Sequence, residues 1–382
     1  MSKKKIAIIR QEQTGSDGGA QAFIDLMLSA VGKNSPIDIS LICRKWNSPT
    51  TTENIIIIDP PYFGRKNKQK SFNSKTKQYL QKNHFDLIQS HERIDGCHIF
   101  RAGDGVHKTW LKQKLKISNK LQQWWIKKSP YHRALLAEEK KMFEGEKLKK
   151  VICNSHMVRQ EILENFTISE EKVTVIYNGV DKKQFFPVKK QKKEELRKEL
   201  KIPNNTFTFI FSGSGFERKN LSDTIKAFSK LRKKCHLLVI GRDKNKNRYE
   251  KLAKNLGCYD RVTFLGQQRK KDMQKVYQCA DILVLPTLYD PFPNVILEAW
   301  ACGLPCITSK HAGAIDIIPL YQCGTIVDLF NIEQLTKAMQ SYTQKEKYEN
   351  SSKAALNAIK QFSTEKMQEE LLLLYKHTME KK

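Results

Sequence analysis

Short apolar runs alternate with helix-length hydrophobic patterns along the whole chain, and no other feature restricts the fold as strongly. In the first half the runs occupy 5–9, 37–42, 54–58, 86–89, 98–101, 151–154 and 173–177. In the second they occupy 207–213, 236–241, 262–266, 281–286, 305–309 and 324–327. Strand-length runs separated by helical stretches are the pattern of βα units, whose crossovers force the strands to be parallel. Two such series predict two Rossmann-like α/β domains, and 382 residues suffice to give each its own core. Phe186-Pro187 followed by the charged stretch 189–200 reads as an exposed linker entering a surface helix. The domains are therefore expected at 1–187 and 188–363. Helical patterns follow at 331–345 and 347–361, and a last one at 364–377 carries the apolar stripe Leu371–Leu374. That stripe needs a partner, and packing it on the first domain would return residues 364–382 to that domain.

Composition removes several classes. Apolar content of 40% and charged content of 28% are those of a globular protein, and no apolar run approaches the ~20 residues of a membrane span. The start, MSKKKIAIIRQEQ, has a basic flank but only a short apolar run before Arg10, so it reads as a first strand and the protein is expected in the cytoplasm. Nine scattered cysteines argue for reduced, buried thiols, and no His or Cys pair beside Cys302 and Cys306 completes a zinc set. A net charge of +28 favours a polyanion or an anionic surface, unless Lys is simply the default surface residue. Its distribution is uneven. Residues 108–150 carry 13 Lys and Arg against 4 Asp and Glu, interleaved with Trp110, Trp124 and Trp125.

Three places could carry chemistry. Gly18-Gly19 follow the first strand, where backbone can approach a ligand closely, although a plain strand-to-helix turn needs the same residues. Arg218-Lys219 fall in the loop after the strand at 207–213, at the end of an open α/β sheet where ligands gather. Two fixed cations there suit a diphosphate, or else form a solvated pair like others in this chain. At 286–300 a strand ends, a turn carries Asp290, and a helix beginning near Pro293 holds Glu298 about 1.4 turns inside. Such carboxylates can hold hydroxyls at two points of an elongated ligand, or be a cap and a surface acid.

Asp290-x7-Glu298, followed by Ala299-Trp300-Ala301-Cys302-Gly303-Leu304-Pro305, resembles the acidic-x7-Glu motif and trailing Gly-Leu-Pro of retaining glycosyltransferases of family 4. The resemblance extends to Gly18-Gly19, Cys153-Asn-Ser155, Val175-Ile-Tyr-Asn-Gly-Val-Asp181, Gly213 to Lys219, Val262-Thr-Phe-Leu-Gly266 and Ala280 to Pro286. Within that family the chain is most similar to the lipopolysaccharide core glucosyltransferase I group. The resemblance implies a GT-B fold, two Rossmann-like domains facing across a cleft, the N-terminal one for the acceptor and the C-terminal one for the nucleotide sugar. It assigns Arg218 and Lys219 to the donor diphosphate, Glu298 to the ribose, Asp290 to the donor sugar, and Gly18 and Gly19 to the diphosphate from the other domain. Gly213, Phe292, Asn294 and Val295 lie within the same donor-binding segments. His107 falls where many members have a His near the reacting sugar; an ordinary polar loop His is the alternative. Two positions depart from the family: its first acid is usually Glu, one methylene longer than Asp290, and Pro293 stands for the usual Gly and lacks a backbone donor.

No Asp-x-Asp occurs in the sequence, so metal-independent transfer is expected, with no cofactor beyond the substrate, most simply UDP-glucose. Lys108 to Lys128 reads as a basic amphipathic helix with Trp110, Lys112, Lys114, Lys120, Trp124, Trp125, Lys127 and Lys128 as membrane-binding residues, or as a core-facing helix with a solvated outer side. A lipid-linked, phosphate-bearing glycan acceptor at the inner face of the cytoplasmic membrane would account for the charge. Nucleic acid is not expected, since zinc-finger and RRM patterns are absent. Competing readings are a capsule or exopolysaccharide transferase, a non-enzymatic polyanion binder, and an epimerase or phosphorylase of the same fold.

Overall fold

A computed structural model describes residues 3–13, 23–24, 27–28, 37–46 and 54–380. Gly18 and Gly19 lie outside the described residues. The chain divides into two compact units, Met1–Tyr177 with Met367–Lys382, and Asn178–Lys366.

The first unit is built on β1 (Lys4–Ile9), β2 (Glu12–Gln13), β3 (Ile37–Cys43), β4 (Lys45–Trp46), β5 (Ile55–Ile57), β6 (Leu87–Ser90), β7 (Ile99–Arg101), β8 (Lys150–Cys153) and β9 (Val173–Val175). Seven strands form one sheet in the order β5-β3-β1-β6-β7-β8-β9. Every pairing in it is parallel. Ile6 and Ile8 of β1 point to one face, Ala7 and Ile9 to the other, and all four are fully buried, as a sheet covered on both sides requires. The helix Thr364–Glu380 adds Met367, Leu371 and Tyr375 to the core around Ile6, Ile8 and Leu41. The Tyr375 hydroxyl donates to Gln89 Oε1 at 2.7 Å, so this stripe is fixed by a polar contact as well as by area.

The second unit contains β10 (Phe207–Ser212), β11 (Cys235–Ile240), β12 (Val262–Gly266), β13 (Ile282–Leu285), β14 (Cys306–Ser309) and β15 (Gly324–Val327). Their order is β12-β11-β10-β13-β14-β15, again all parallel. This is the doubly wound arrangement, in which strand order reverses between β10 and β13 and opens a crevice at their carboxyl ends. The helices Leu221–Ser229, Met273–Cys279 and Asn294–Ala301 follow β10, β12 and β13. All nine cysteines are buried and unpaired.

Two expectations need correction. The boundary expected at 187 lies ten residues earlier, because residues 178–186 pack within the second unit. Val180 bridges Ser363, Phe185 meets the Tyr277 ring edge-on at 6.0 Å, and Gln278 Nε2 donates to the Phe186 carbonyl at 2.9 Å. The stretch 108–128 is two helices, His107–Ile117 and Lys120–Lys128, in place of one. Asn119 accepts from the Gln122 amide at 2.9 Å while Gln122 Oε1 accepts from the Asn119 amide, a capping box that starts a new helix where the periodicity runs on. The charged helix Lys190–Glu199 is also less solvated than its composition suggests: Lys193 and Arg197 reach Asp281 at 2.5 and 2.8 Å.

Candidate active site

The loops leaving β10, β13 and β14 are stitched to one another by backbone. Leu288 N–H donates to the Arg218 carbonyl at 2.8 Å, Asp290 N–H to the His311 carbonyl at 2.9 Å, and Gly313 N–H to the Asp290 carbonyl at 2.9 Å. Glycine is required where the loop leaving β10 crowds the one leaving β11. Gly213 has φ +146°, and a Cβ on Gly241 (φ +130°) would lie 2.3 Å from the Gly213 carbonyl oxygen.

On this frame Arg218 and Lys219 differ although they are adjacent. Lys219 is buried, 5% exposed, and its stem runs alongside Gly213. Its ammonium is hydrogen-bonded to Asp290 Oδ2. Burial pushes the Lys219 pKa down, and the Asp290 charge works against that shift. Arg218 is more open, with a side chain 39% exposed; its Nη1 donates to the Tyr289 carbonyl at 3.1 Å and lies 3.5 Å from the same Asp290 oxygen. Asp290 thus neutralises the buried cation and leaves the guanidinium as the accessible one.

Pro293 is the N-cap of the helix Asn294–Ala301, so the helix begins one residue later than expected. Asn294 Oδ1 accepts from Asn178 Nδ2 at 2.6 Å, Phe292 is nearly buried, and Val295 is half-buried. Glu298, one turn into that helix, accepts at Oε2 from the Tyr277 hydroxyl at 2.8 Å. Burial raises the Glu298 pKa and the Tyr277 hydrogen bond lowers it again. Gly213, Arg218, Lys219, Asp290, Asn294 and Glu298 therefore all belong to the β10 and β13 carboxyl ends of one unit. Asn178 and Tyr277, which sequence reasoning missed, support them. Asn178 sits inside the Val175–Asp181 motif, a signal that was available; Tyr277 has none, because its partner is 21 residues away.

His107 belongs to the first unit. It opens the helix His107–Ile117, and its backbone N–H donates to Glu139 Oε1 at 2.8 Å, an oxygen that also accepts from Arg93 Nε at 2.8 Å. Its Nε2 lies 3.1 Å from His132 Nδ1. Burial, with Arg93 and His132 adding to it, takes the His107 pKa down to about 3. The ring is neutral near pH 7, so it can bond a hydroxyl without placing a positive charge beside one.

Leu111 and Leu115 of the same helix, with Leu136 of the helix Pro130–Phe143, line a groove of about 480 Å³ bordered by Lys108, Lys112 and Lys116. Trp110 and Lys114 are half-buried. The helix Lys120–Lys128 buries none of its residues, leaving Leu121, Trp124 and Trp125 at 67%, 52% and 63% exposure beside Lys120, Lys127 and Lys128. Among the described residues no helix is long and apolar enough to cross a membrane, and no group of three or more His, Cys, Asp or Glu could hold a metal.

Comparison with known proteins matches this architecture half by half. Residues 18–184 fit the model of Glycosyltransferase Family 4, and residues 192–377 that of Glycosyl transferases group 1. The chain belongs to the GT-B glycosyltransferases of this group. It is 31% identical over 171 residues to an uncharacterized glycosyltransferase of Methanocaldococcus jannaschii, covering 44% of each chain. It is 24% identical over 269 residues to the lipopolysaccharide glucosyltransferase WaaG of Escherichia coli K12, covering 69% of each. The crystal structure of WaaG, described as a glycosyltransferase involved in lipopolysaccharide biosynthesis, superposes with a TM-score of 0.81 at 20% identity, over 96% of this chain and 98% of that one. Anabaena HepE in complex with UDP and glucose gives 0.74 at 17% identity, over 98% and 100%. The first curated relatives are matched over about half of their length, 44%, 53% and 43%.

Proposed function

We propose that this protein is a retaining hexosyltransferase that moves a sugar, most simply glucose from UDP-glucose, onto a heptose of a lipopolysaccharide core or a similar lipid-linked glycan. The observation that carries the reading is the gathering of Arg218, Lys219, Asp290 and Glu298 at the β10/β13 switch point. That crevice supplies two cations for a diphosphate and a carboxylate for a ribose. WaaG is named a lipopolysaccharide glucosyltransferase and HepE is described with UDP and glucose, which favours this donor and this class of acceptor.

In this reading the charge that grows on the departing nucleoside diphosphate is stabilised by Arg218 and Lys219, a role that divalent metal fills elsewhere. Gly213, Phe292, Asn294 and Val295 line the donor, Glu298 clasps the ribose, and Asp290 holds Lys219 in place while bordering the sugar. Gly18 and Gly19 are assigned to the diphosphate on the strength of the family resemblance. A neutral His107 bonds a sugar hydroxyl without repelling the oxocarbenium-like centre. Release of UDP from UDP-glucose is expected to require a core glycan acceptor and to persist in EDTA. Strict dependence on added manganese, or equal release without acceptor, would contradict the reading.

The exposed Trp124 and Trp125, with Trp110, Lys112, Lys114, Lys120, Lys127 and Lys128, form the proposed contact with the inner face of the cytoplasmic membrane. Trp favours the interfacial zone, and each basic group adds about 1 kcal/mol near an anionic leaflet. In a flotation experiment the protein should rise with anionic vesicles and remain behind with neutral ones, and Trp124→Ser/Trp125→Ser should reduce the bound fraction several-fold. Failure of the unaltered protein to float with either vesicle would remove the membrane from the account.

A further inference from the structure

We infer that Tyr277 is a positioning residue for recognition of the nucleotide ribose: its hydroxyl occupies one oxygen of Glu298 and turns the other toward the sugar hydroxyls. The inference rests on the assignment of Glu298 to the ribose and adds to it the group that sets the carboxylate's orientation.

Tyr277 lies on the helix Met273–Cys279 and Glu298 on Asn294–Ala301, so the contact joins two helices on the same unit. The Tyr277 hydroxyl donates to Glu298 Oε2 at 2.8 Å, and Ser212, the last residue of β10, lies 3.4 Å from the same hydroxyl. The ring itself is fully buried and meets Phe185 edge-on at 6.0 Å, which removes its freedom to swing away. A Glu side chain has three rotatable bonds, and an unrestrained carboxylate would lose that freedom each time it gripped a ligand. A rigid donor on one oxygen removes the loss in advance and leaves Oε1 as the acceptor for ribose hydroxyls. Burial holds the Tyr277 pKa well above the ordinary phenol range, so the hydroxyl keeps its proton and remains a donor. The Lys270 charge lowers the Glu298 pKa alongside the Tyr277 hydrogen bond, against the upward push of burial.

A role in packing alone and a role in orientation separate when two ligands differ only in the groups Glu298 would hold. UDP and 2′,3′-dideoxy-UDP are such a pair, and calorimetric titration of each into the full chain and into Tyr277→Phe reads the difference. Phe preserves the ring and its contact with Phe185. The unaltered protein is expected to prefer UDP by at least about tenfold, since a hydrogen bond to a charged group is at stake. Tyr277→Phe should lose most of that preference by weakening UDP about tenfold while leaving the dideoxy compound unchanged. Equal weakening of both ligands, or unchanged affinity for UDP, overturns the inference while the preference of the unaltered protein still supports the ribose assignment. Absence of any preference in the unaltered protein, together with unchanged binding in Glu298→Gln, overturns the ribose assignment and the role of Tyr277 with it.

Discussion

Arg218→Ala is expected to lower kcat about 10²- to 10³-fold with little change in thermal midpoint, the usual consequence of removing one preorganised donor from a developing negative charge. The guanidinium is the accessible cation of the pair, while Lys219 is already engaged by Asp290. In the proposed reaction the guanidinium charge is the more accessible of the two as the sugar–phosphate bond breaks. The structural cost of the change is small: a hydrogen bond to the Tyr289 carbonyl and a long 3.5 Å contact with Asp290 are lost from a side chain that is more than a third exposed. Such a bond contributes about 1 kcal/mol. Arg218→Lys should recover only part of the rate, because an ammonium lacks the planar fork that meets two phosphate oxygens at once. Steady-state kinetics with the donor varied separate the alternatives. A fall confined to KM would mean that Arg218 binds ground state and transition state alike, and a kcat within about threefold of the unaltered enzyme would remove it from the chemistry.

Asp290→Ala should do more damage, and of a different kind. Lys219 is buried and its charge has Asp290 as the hydrogen-bonded carboxylate; removal of that partner leaves an uncompensated ammonium in the interior. Breaking a buried pair from one side typically costs about 3–5 kcal/mol. For a unit of this size that corresponds to a fall in thermal midpoint on the order of 10 °C. Activity is expected to fall with it, since an unpaired Lys219 will seek another carboxylate or shed its proton. The combined change Asp290→Ala/Lys219→Met tests the cause, because it removes both charges and keeps the volume of the stem. It should return most of the lost stability and none of the activity. If Asp290→Ala melts like the unaltered protein, the pair is a surface contact and its place in the site is wrong. Asp290→Glu is the informative conservative change: the longer acid is the one the family usually carries, and it should retain the pairing while altering sugar turnover.

Much of this was legible in the sequence, and the physical reason is periodicity. A strand buried on both faces, such as β1 with Ile6, Ala7, Ile8 and Ile9, leaves an apolar run that no amphipathic helix would share. Strands of that kind were placed to within one or two residues throughout both units. Arg218, Lys219 and Asp290 lie in loops just past such strands and Glu298 in the helix that follows, but their proposed donor-site roles come from the family resemblance and not from strand position. The rest depends on contacts that leave no local trace. The helix break at Ser118-Asn119 turns on one Asn cap within an uninterrupted apolar rhythm, and periodicity counts residues without seeing caps. The boundary was misplaced because Phe186-Pro187 reads as a linker, whereas Phe185 is buried against Tyr277. The division of labour between Arg218 and Lys219 was equally hidden, since neighbours in sequence differ here only by which of them turns inward to Asp290. Tyr277 and Glu298 meet across two helices, and nothing in either segment announces the other.

The measurement that bears most directly on the central proposal is the anomeric configuration of the product formed from UDP-glucose and a core glycan acceptor, read by proton NMR early in the reaction. The account predicts an α-glucoside, with the configuration of the donor retained and one UDP released for each bond formed. A β-glucoside, or free glucose as the only sugar product with the acceptor present, would contradict it.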